Sequence, residues 1–150
     1  MELELIVDIE TDGLLPDVTK IHCIGMTVVG AVAAQIFANE EPYESLTGHN
    51  IIGYDLPVLK KLLGWTPSKN TEIIDTLVMS RLCHTSLREV DAKQKSIETK
   101  LWGSHSLKAW GKRLGVEKSE LAGDDVWSHF TEDMGEYCMQ DVLVTSELKY

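Results

Sequence analysis

With 150 residues, of which 43% are hydrophobic and 25% charged, the chain has the size and composition of one soluble globular domain spanning residues 1–150. Its net charge of −10 argues against a protein that holds nucleic acid by charge alone, because such binding replaces phosphate counterions with Lys and Arg. No apolar run reaches the roughly 20 residues that cross a bilayer, and the N-terminus lacks the basic start of a signal peptide. We therefore expect a soluble, cytoplasmic protein with no membrane partner.

The first predicted strand, residues 5–14, is an apolar run that contains two acids one residue apart. Side chains alternate between the faces of a strand, so Asp8 and Glu10 share one face while Val7 and Ile9 lie on the other. Two carboxylates this close repel each other unless a cation lies between them, and oxygen donors suit Mg²⁺ or Mn²⁺. Taken alone, the pattern fits the solvated face of an edge strand equally well.

Two more strands are predicted at residues 21–29 and 33–38, with Gly30 at the turn between them. The chain is therefore expected to begin as three antiparallel strands. Residues 39–45 are polar and predict a short connection, and residues 48–50 predict a turn or the end of a strand.

Helices are predicted next. One covers residues 55–64, with Asp55 as a candidate cap, and a second runs from its cap Asp75 to about His84. Residues 85–100 are polar with little apolar periodicity, and we expect a mobile excursion, with room for some helix, and not a linker between domains.

Two further helices are predicted in the second half of the chain. The first opens at residues 104–106, ends at Gly115 and has three apolar residues on one face, Leu107, Trp110 and Leu114. The last begins near Thr131 and has one stripe of side chains, Tyr137, Asp141, Val144 and Leu148. An aspartate within such an apolar stripe is expensive to bury unless it is paired or binds a metal. Asp141 can therefore join the acids of the first strand.

The three cysteines, Cys23, Cys83 and Cys138, are odd in number and lie far apart, without the spacing of a metal site. We expect reduced thiols in the core.

Three short motifs occur in chain order: Asp8-Ile9-Glu10-Thr11 followed by Gly13-Leu14, His49-Asn50 with Tyr54-Asp55, and Tyr137-x-x-x-Asp141. Together they resemble the three exonuclease motifs of the DEDD 3′–5′ exonuclease superfamily. Its His type does not fit, because Glu136 stands where that type has its histidine. Residues 18–23, 74–82 and 103–115 extend the resemblance over nearly the whole chain, toward the proofreading domain of T7-phage-type family A DNA polymerases.

This resemblance implies an α/β, ribonuclease H-like fold with a mixed central sheet flanked by helices. It implies two Mg²⁺ or Mn²⁺ ions held by the carboxylates of Asp8, Glu10, Asp55 and Asp141, with Asp8 shared between the two ions and Asp55 supporting the second. Tyr137 would orient the attacking water. In such sites one ion activates water and the other stabilises the leaving oxygen. The implied reaction is metal-dependent hydrolysis of single-stranded DNA from its 3′ end, which releases nucleoside 5′-monophosphates.

The resemblance also implies residues and partners around the substrate. Thr11 and Leu14 would line the slot for the terminal nucleotide, and Asn50 would contact the strand behind it. From its position at a helix start, we interpret His105 as a residue of the cap region or of the edge of the substrate, and not as a metal ligand. We interpret Asp75 as a helix cap and not as a catalytic residue. The implied partners are single-stranded DNA 3′ ends and a DNA polymerase, in a bacterial or phage-infected cell.

Two alternatives remain open at this point: an exoribonuclease, because the same carboxylates serve RNA trimming in related families, and a non-catalytic exonuclease-fold module that binds nucleic acid or a polymerase. Clustered acids repel phosphate, which speaks against the binding module. The chain also departs from the family pattern, because residues 40–48 are too few for the helix and strand expected before His49. Either this element is deleted and the strand shortened, or the local fold differs.

Overall fold

The computed structural model describes residues 3–29, 43–116 and 127–150, so the strand predicted at residues 33–38 lies outside the described residues. Within them, one sheet has the strand order β2-β1-β3-β4, with β1 at Glu4–Thr11, β2 at Ile21–Val29, β3 at Ser45–Gly48 and β4 at Glu72–Asp75. β1 pairs antiparallel with β2 and parallel with β3, and β3 pairs parallel with β4. This mixed, open sheet with helices is compatible with the expected ribonuclease H-like fold.

The helices are α1 (Asp55–Leu63), α2 (Thr76–Cys83), α3 (Leu87–Gln94), α4 (Leu107–Leu114) and α5 (Glu132–Lys149), with a short 3₁₀ turn at Thr99–Leu101. α1 packs on one face of the sheet, where Val58 and Leu59 contact Ile9 of β1. α5 packs on the opposite face, where Cys138 contacts β1 and β2. No helix of the described ranges is both long enough and apolar enough to cross a membrane.

β1 is only half covered by β3. Glu4 pairs with Val29 of β2 on one side and with Ser45 of β3 on the other. The parallel pairing ends at Ile6, whereas β2 accompanies β1 as far as Thr11. Beyond Ile6, on the side where β3 ends, the groups next to β1 therefore come from α1. This part of β1 contains Asp8 and Glu10.

A glycine in the middle of β2 lets α5 approach the sheet closely. A Cβ atom at Gly25 would lie 2.8 Å from Cys138 Sγ and 3.2 Å from Val142 Cγ2. The Gly25 backbone N–H also donates a hydrogen bond to Cys138 Sγ, at 3.1 Å. Any larger side chain at this position would push the helix away from β1 and β2.

Both ends of α5 are fixed. At its start the hydroxyl of Thr131 accepts a hydrogen bond from the Met134 N–H at 3.1 Å, which confirms the predicted beginning of the helix. At its end Lys149 forms an ion pair with Glu4, and the Tyr150 hydroxyl donates to Glu4 Oε2 at 2.7 Å. The helix is thereby tied to the first residue of β1.

The expectation that residues 85–100 are partly helical is confirmed, because this segment forms α3 and the 3₁₀ turn, but the segment is packed against the rest of the protein. Leu87 joins a buried cluster with Leu107 and Trp110. Asp91 accepts two hydrogen bonds from Arg113, from Nε at 3.0 Å and from Nη2 at 2.7 Å. The segment is therefore held by a buried ion pair as well as by two buried apolar side chains, Leu87 and Ile97.

The predicted positions of β2, α1, α2 and α4 are confirmed, and Gly64 and Gly115 end α1 and α4 in the left-handed conformation. Three details are corrected. Asp55 is the first residue of α1, whereas Tyr54 occupies the cap position. Leu114 is 40% exposed and so lies outside the core, and the Cys83 thiol is exposed. Both side chains sit near a helix end, where the core no longer covers the apolar stripe.

Candidate metal centre

β1 places its two acids beneath α5. Asp8 lies opposite Gly25, and Glu10 lies opposite Cys23, on the face of the sheet that α5 covers. Glu10 is 8% exposed and Asp8 is partly buried. The shared face predicted from strand alternation is therefore present.

Asp55 reaches the same region from α1, through a turn held by Asp75. The Asp75 carboxylate accepts hydrogen bonds from the backbone N–H groups of Asn50 at 3.0 Å and Ile52 at 3.2 Å. It also accepts from Leu77 N–H at 2.9 Å, which confirms its interpretation as the cap of α2. One buried carboxylate thus both begins α2 and fixes the turn that leads into Asp55.

Asp141 completes the group from α5 and is 6% exposed. Burial raises the pKa of Asp8 well above its usual range, and the charges of Asp141, Asp55 and Glu10 raise it further. The other three carboxylates named by the motifs therefore lie within electrostatic reach of Asp8. They come from three separate elements, β1, α1 and α5.

The electrostatics of this cluster fit a cation. Burial raises the pKa of Asp55 to about 7, although hydrogen bonding from the Ile9 backbone N–H offsets part of that rise. Without a cation, the raised pKa values of Asp8 and Asp55 favour retention of their protons. A divalent cation would replace those protons, and carboxylate oxygens are the ligands that Mg²⁺ and Mn²⁺ prefer.

Cys138 also belongs to this cluster, although the sequence predicts only a reduced thiol in the core. Its Sγ lies 3.4 Å from the backbone oxygen of Asp8 and 3.6 Å from Asp8 Oδ2. One ligand atom from each of Asp8, Glu10 and Cys138 falls within 4.8 Å of the other two. Burial raises the pKa of the Cys138 thiol, as does the charge of Asp8. Gly25 within β2 was a sequence signal for a close approach here, although it did not identify the approaching residue.

Tyr137 lies one turn before Asp141 and is half-buried. Its ring packs edge-on against Trp127, with ring centroids 6.2 Å apart and an angle of 78° between the planes. The Trp127 carbonyl oxygen is 2.8 Å from His22 Nε2, and the Trp127 side chain is 42% exposed. Tyr137 is therefore next to an exposed aromatic surface.

Two of the predicted substrate residues lie where β1 leaves the acidic cluster. Thr11 is buried; its hydroxyl donates to the Gly13 carbonyl at 2.8 Å and lies 2.5 Å from the Tyr54 hydroxyl. Leu14 is 75% exposed. Thr11 thus shapes the loop after β1, and Leu14 presents an apolar surface there.

The other two predicted substrate residues make different contacts. Asn50 is exposed and has a φ of 64°, in the left-handed region, which the turn before α1 requires. His105 Nδ1 lies 2.6 Å from Ser80 Oγ, so its hydrogen-bond partner is on α2 and is not one of the four carboxylates. Burial lowers the pKa of His105, and the charge of Arg81 lowers it further.

Comparison with known proteins shows sequence similarity over nearly the whole chain. No model of a known protein family matches it. The DNA-directed DNA polymerase of Enterobacteria phage T3 is 33% identical, and that of Escherichia phage T7 is 31% identical, each over 181 aligned residues that include 96% of this chain. The chain spans about a quarter of the length of these relatives, 26%. The similarity indicates a role connected with nucleic acid.

The aligned stretch of 181 residues is longer than this chain of 150, so the relatives contain residues that this chain lacks. The segment predicted to be shortened, residues 40–48, lies before His49. In the structure the strand of this segment is present as β3, with four residues.

Proposed function

We propose that this chain is a 3′–5′ exonuclease that hydrolyses single-stranded DNA with two divalent cations, Mg²⁺ or Mn²⁺. The observation that supports the proposal is the convergence of Asp8, Glu10, Asp55 and Asp141, with Tyr137 one turn before the last of them. The order of these residues follows the Tyr-type DEDD motifs, and the similar proteins are phage DNA polymerases. The products would be nucleoside 5′-monophosphates, and a DNA polymerase is the proposed partner.

In this proposal the carboxylates hold the ions. Asp8, Glu10 and Asp141 would bind one ion, and Asp8 would be shared with the second, which Asp55 supports. When bound, the ions would activate water and stabilise the charge on the leaving oxygen. Tyr137 would position the attacking water through its hydroxyl, because a phenol is a poor base at neutral pH.

The surroundings of the cluster suit a separated strand end. Leu14 and Trp127 offer exposed apolar surface on which bases can pack or stack. The net charge of −10 predicts weak intrinsic affinity for DNA. Binding would then depend on the metal ions at the scissile phosphate and on the surface of a partner.

The test uses matched single-stranded DNA and RNA oligonucleotides, labelled at the 5′ end, with the purified chain in Mg²⁺, Mn²⁺ or EDTA. We expect a metal-dependent ladder that shortens from the 3′ end, faster on DNA. Asp8→Ala should abolish the ladder, with little loss of thermal stability, because it removes one of four crowded acids. Asp17→Ala, at an exposed carboxylate, is the matched control and should cleave normally.

Each arm has a result that contradicts the proposal. Faster cleavage of RNA would identify an exoribonuclease. Unfolding of Asp8→Ala would show that the cluster is structural. Absence of cleavage together with absence of Mn²⁺ binding would favour the non-catalytic module.

Tyr137→Phe should retain part of the activity, because the ions still activate the water. The measurement is the single-turnover cleavage rate at saturating Mg²⁺. Complete loss of cleavage at unchanged metal occupancy would show that the phenol does more than position the water.

A further inference from the structure

The proposed reaction assigns no role to one buried metal-ligand candidate of the cluster, the Cys138 thiol. Cys138 is 1% exposed, and its ligand atom lies within 4.8 Å of those of Asp8 and Glu10. Mg²⁺ takes oxygen ligands, whereas thiolate sulfur favours softer metals such as zinc. A site built only for Mg²⁺ has no use for sulfur at this position.

The spacing of the donors fits a four-coordinate zinc ion. Typical zinc–sulfur and zinc–oxygen distances in a tetrahedral site place the two ligand atoms about 3.6 Å apart. The observed distance from Cys138 Sγ to Asp8 Oδ2 is 3.6 Å. The sulfur and the carboxylate oxygen are therefore already separated as two ligand atoms of such a site require.

The sulfur atom is also held in place. The Gly25 backbone N–H donates to Cys138 Sγ at 3.1 Å, and the absence of a side chain at Gly25 leaves the space that the sulfur occupies. This hydrogen bond fixes the position of the sulfur relative to the acids. This contact comes from β2, so it is independent of the acids of β1.

We infer that Asp8, Glu10 and Cys138 form a mixed oxygen–sulfur site for a thiophilic divalent cation, with Zn²⁺ as the representative ion. On binding, the Cys138 proton passes to solvent and a metal–sulfur bond forms, with no change of oxidation state. Water can occupy the fourth position. Because Asp8 and Glu10 are also proposed ligands of the catalytic ions, zinc bound here would displace them and inhibit cleavage. That last consequence rests on the proposed function, whereas the binding itself does not.

The first measurement needs no enzymatic activity. The metal-free chain is titrated with Co²⁺, and the thiolate-to-cobalt charge-transfer absorption in the near ultraviolet is followed. We expect the band to saturate at one ion per chain and to disappear when Zn²⁺ is added. X-ray absorption of the zinc-loaded chain should show a sulfur neighbour at about 2.3 Å. A metal shell of oxygen and nitrogen only would overturn the inference.

Variants identify the sulfur. Cys138→Ser should lose the cobalt band and weaken Zn²⁺ binding at least tenfold, whereas Cys83→Ser, at an exposed thiol on α2, should retain both. A band that persists in Cys138→Ser, or one lost in Cys83→Ser, would assign the sulfur elsewhere and refute the site. If Cys138→Ser does not fold, Cys138→Ala and the zinc absorption spectrum of the unmodified chain decide the question.

The cleavage assay separates the two proposals. Zn²⁺ added to the Mg²⁺ reaction should inhibit it at the concentrations that displace cobalt. A cobalt–thiolate band without any cleavage in Mg²⁺ or Mn²⁺ would refute the exonuclease and leave the zinc site standing. Cleavage without a cobalt–thiolate band would refute the zinc site and leave the exonuclease standing.

Discussion

Replacing Asp55 with asparagine should stabilise the metal-free protein, and more at high pH than at low pH. Asp55 is 4% exposed, and burial raises the pKa of its carboxyl to about 7. In the unfolded chain an aspartate ionises near pH 3.9. Between these two values the folded state holds a proton that the unfolded state has lost, so the free energy of unfolding falls as the pH rises. Above about pH 7 this loss is complete.

The size of the effect follows from the two pKa values. A difference of about three pH units, at roughly 1.4 kcal/mol for each, gives about 4 kcal/mol at pH 8 and about 1.5 kcal/mol at pH 5. For a domain of this length, each kcal/mol changes Tm by roughly 2–4 °C. Asparagine retains the shape of the side chain and one oxygen acceptor but cannot ionise. The Tm of Asp55→Asn should therefore exceed that of the unmodified protein by about 10 °C at pH 8.

The assay is thermal unfolding followed by circular dichroism, in EDTA, at pH 5, 6, 7 and 8. Asp17→Asn, which removes an exposed carboxylate, controls for the change in net charge and should follow the unmodified protein. The difference in Tm between Asp55→Asn and the unmodified protein should widen with pH. A difference that stays constant across this range would show that Asp55 does not titrate there, and would refute the reasoning from burial.

Two further predictions concern packing. Asp91→Ala should lower the free energy of unfolding by about 3–5 kcal/mol, because it leaves the buried guanidinium of Arg113 without its carboxylate partner. Since hydrogen bonding to Arg113 lowers the pKa of Asp91, this contribution is present at neutral pH and is lost as the pH falls through that lowered value. Urea unfolding of the unmodified protein and of Asp91→Ala, at pH 7 and at acidic pH, measures the size and the pH dependence of this loss. A difference in the free energy of unfolding that is the same at both pH values would contradict the role of the Asp91 charge. Gly25→Ala should cost about 1–3 kcal/mol, because its new methyl group would meet Cys138 Sγ at 2.8 Å. Gly135→Ala, whose nearest neighbour would be 3.6 Å away, should be neutral or stabilising in the same urea experiment, and equal effects of the two changes would refute the packing argument.

The parts of the fold set by local rules could be predicted from the sequence. Alternation along β1 is enough to place Asp8 and Glu10 on one face. Capping residues and terminal glycines are enough to locate the helices, as Asp75 at the start of α2 and Gly115 at the end of α4 illustrate. These features depend on neighbours within a few residues, so a single sequence contains the information.

Features set by long-range contacts could not be predicted in the same way. α3 has few apolar residues because a buried ion pair between Asp91 and Arg113 replaces part of an apolar stripe, so its sequence is typical of a solvated segment. Cys138 reaches the acids only because α5 settles on Gly25, which lies 113 residues earlier. The meeting of Asp141 with the acids of β1 was expected from the order of the motifs, since no periodicity relates residues so far apart.

The contact between Cys138 and Gly25 lies close to Asp141 and far from the C-terminal end of α5. Lys149, tied to Glu4, lies eleven residues beyond the contact, about 16 Å along the helix axis, whereas Asp141 lies only about 4.5 Å from it. If the helix tilts about this point, a displacement of about 1 Å at its far end moves Asp141 by only about 0.3 Å. If the contact of Lys149 with Glu4 loosens, the displacement of Asp141 is thus more than threefold smaller than that of the helix end. The distances between Asp141 and the acids of β1 therefore depend mainly on the contact between Cys138 and Gly25.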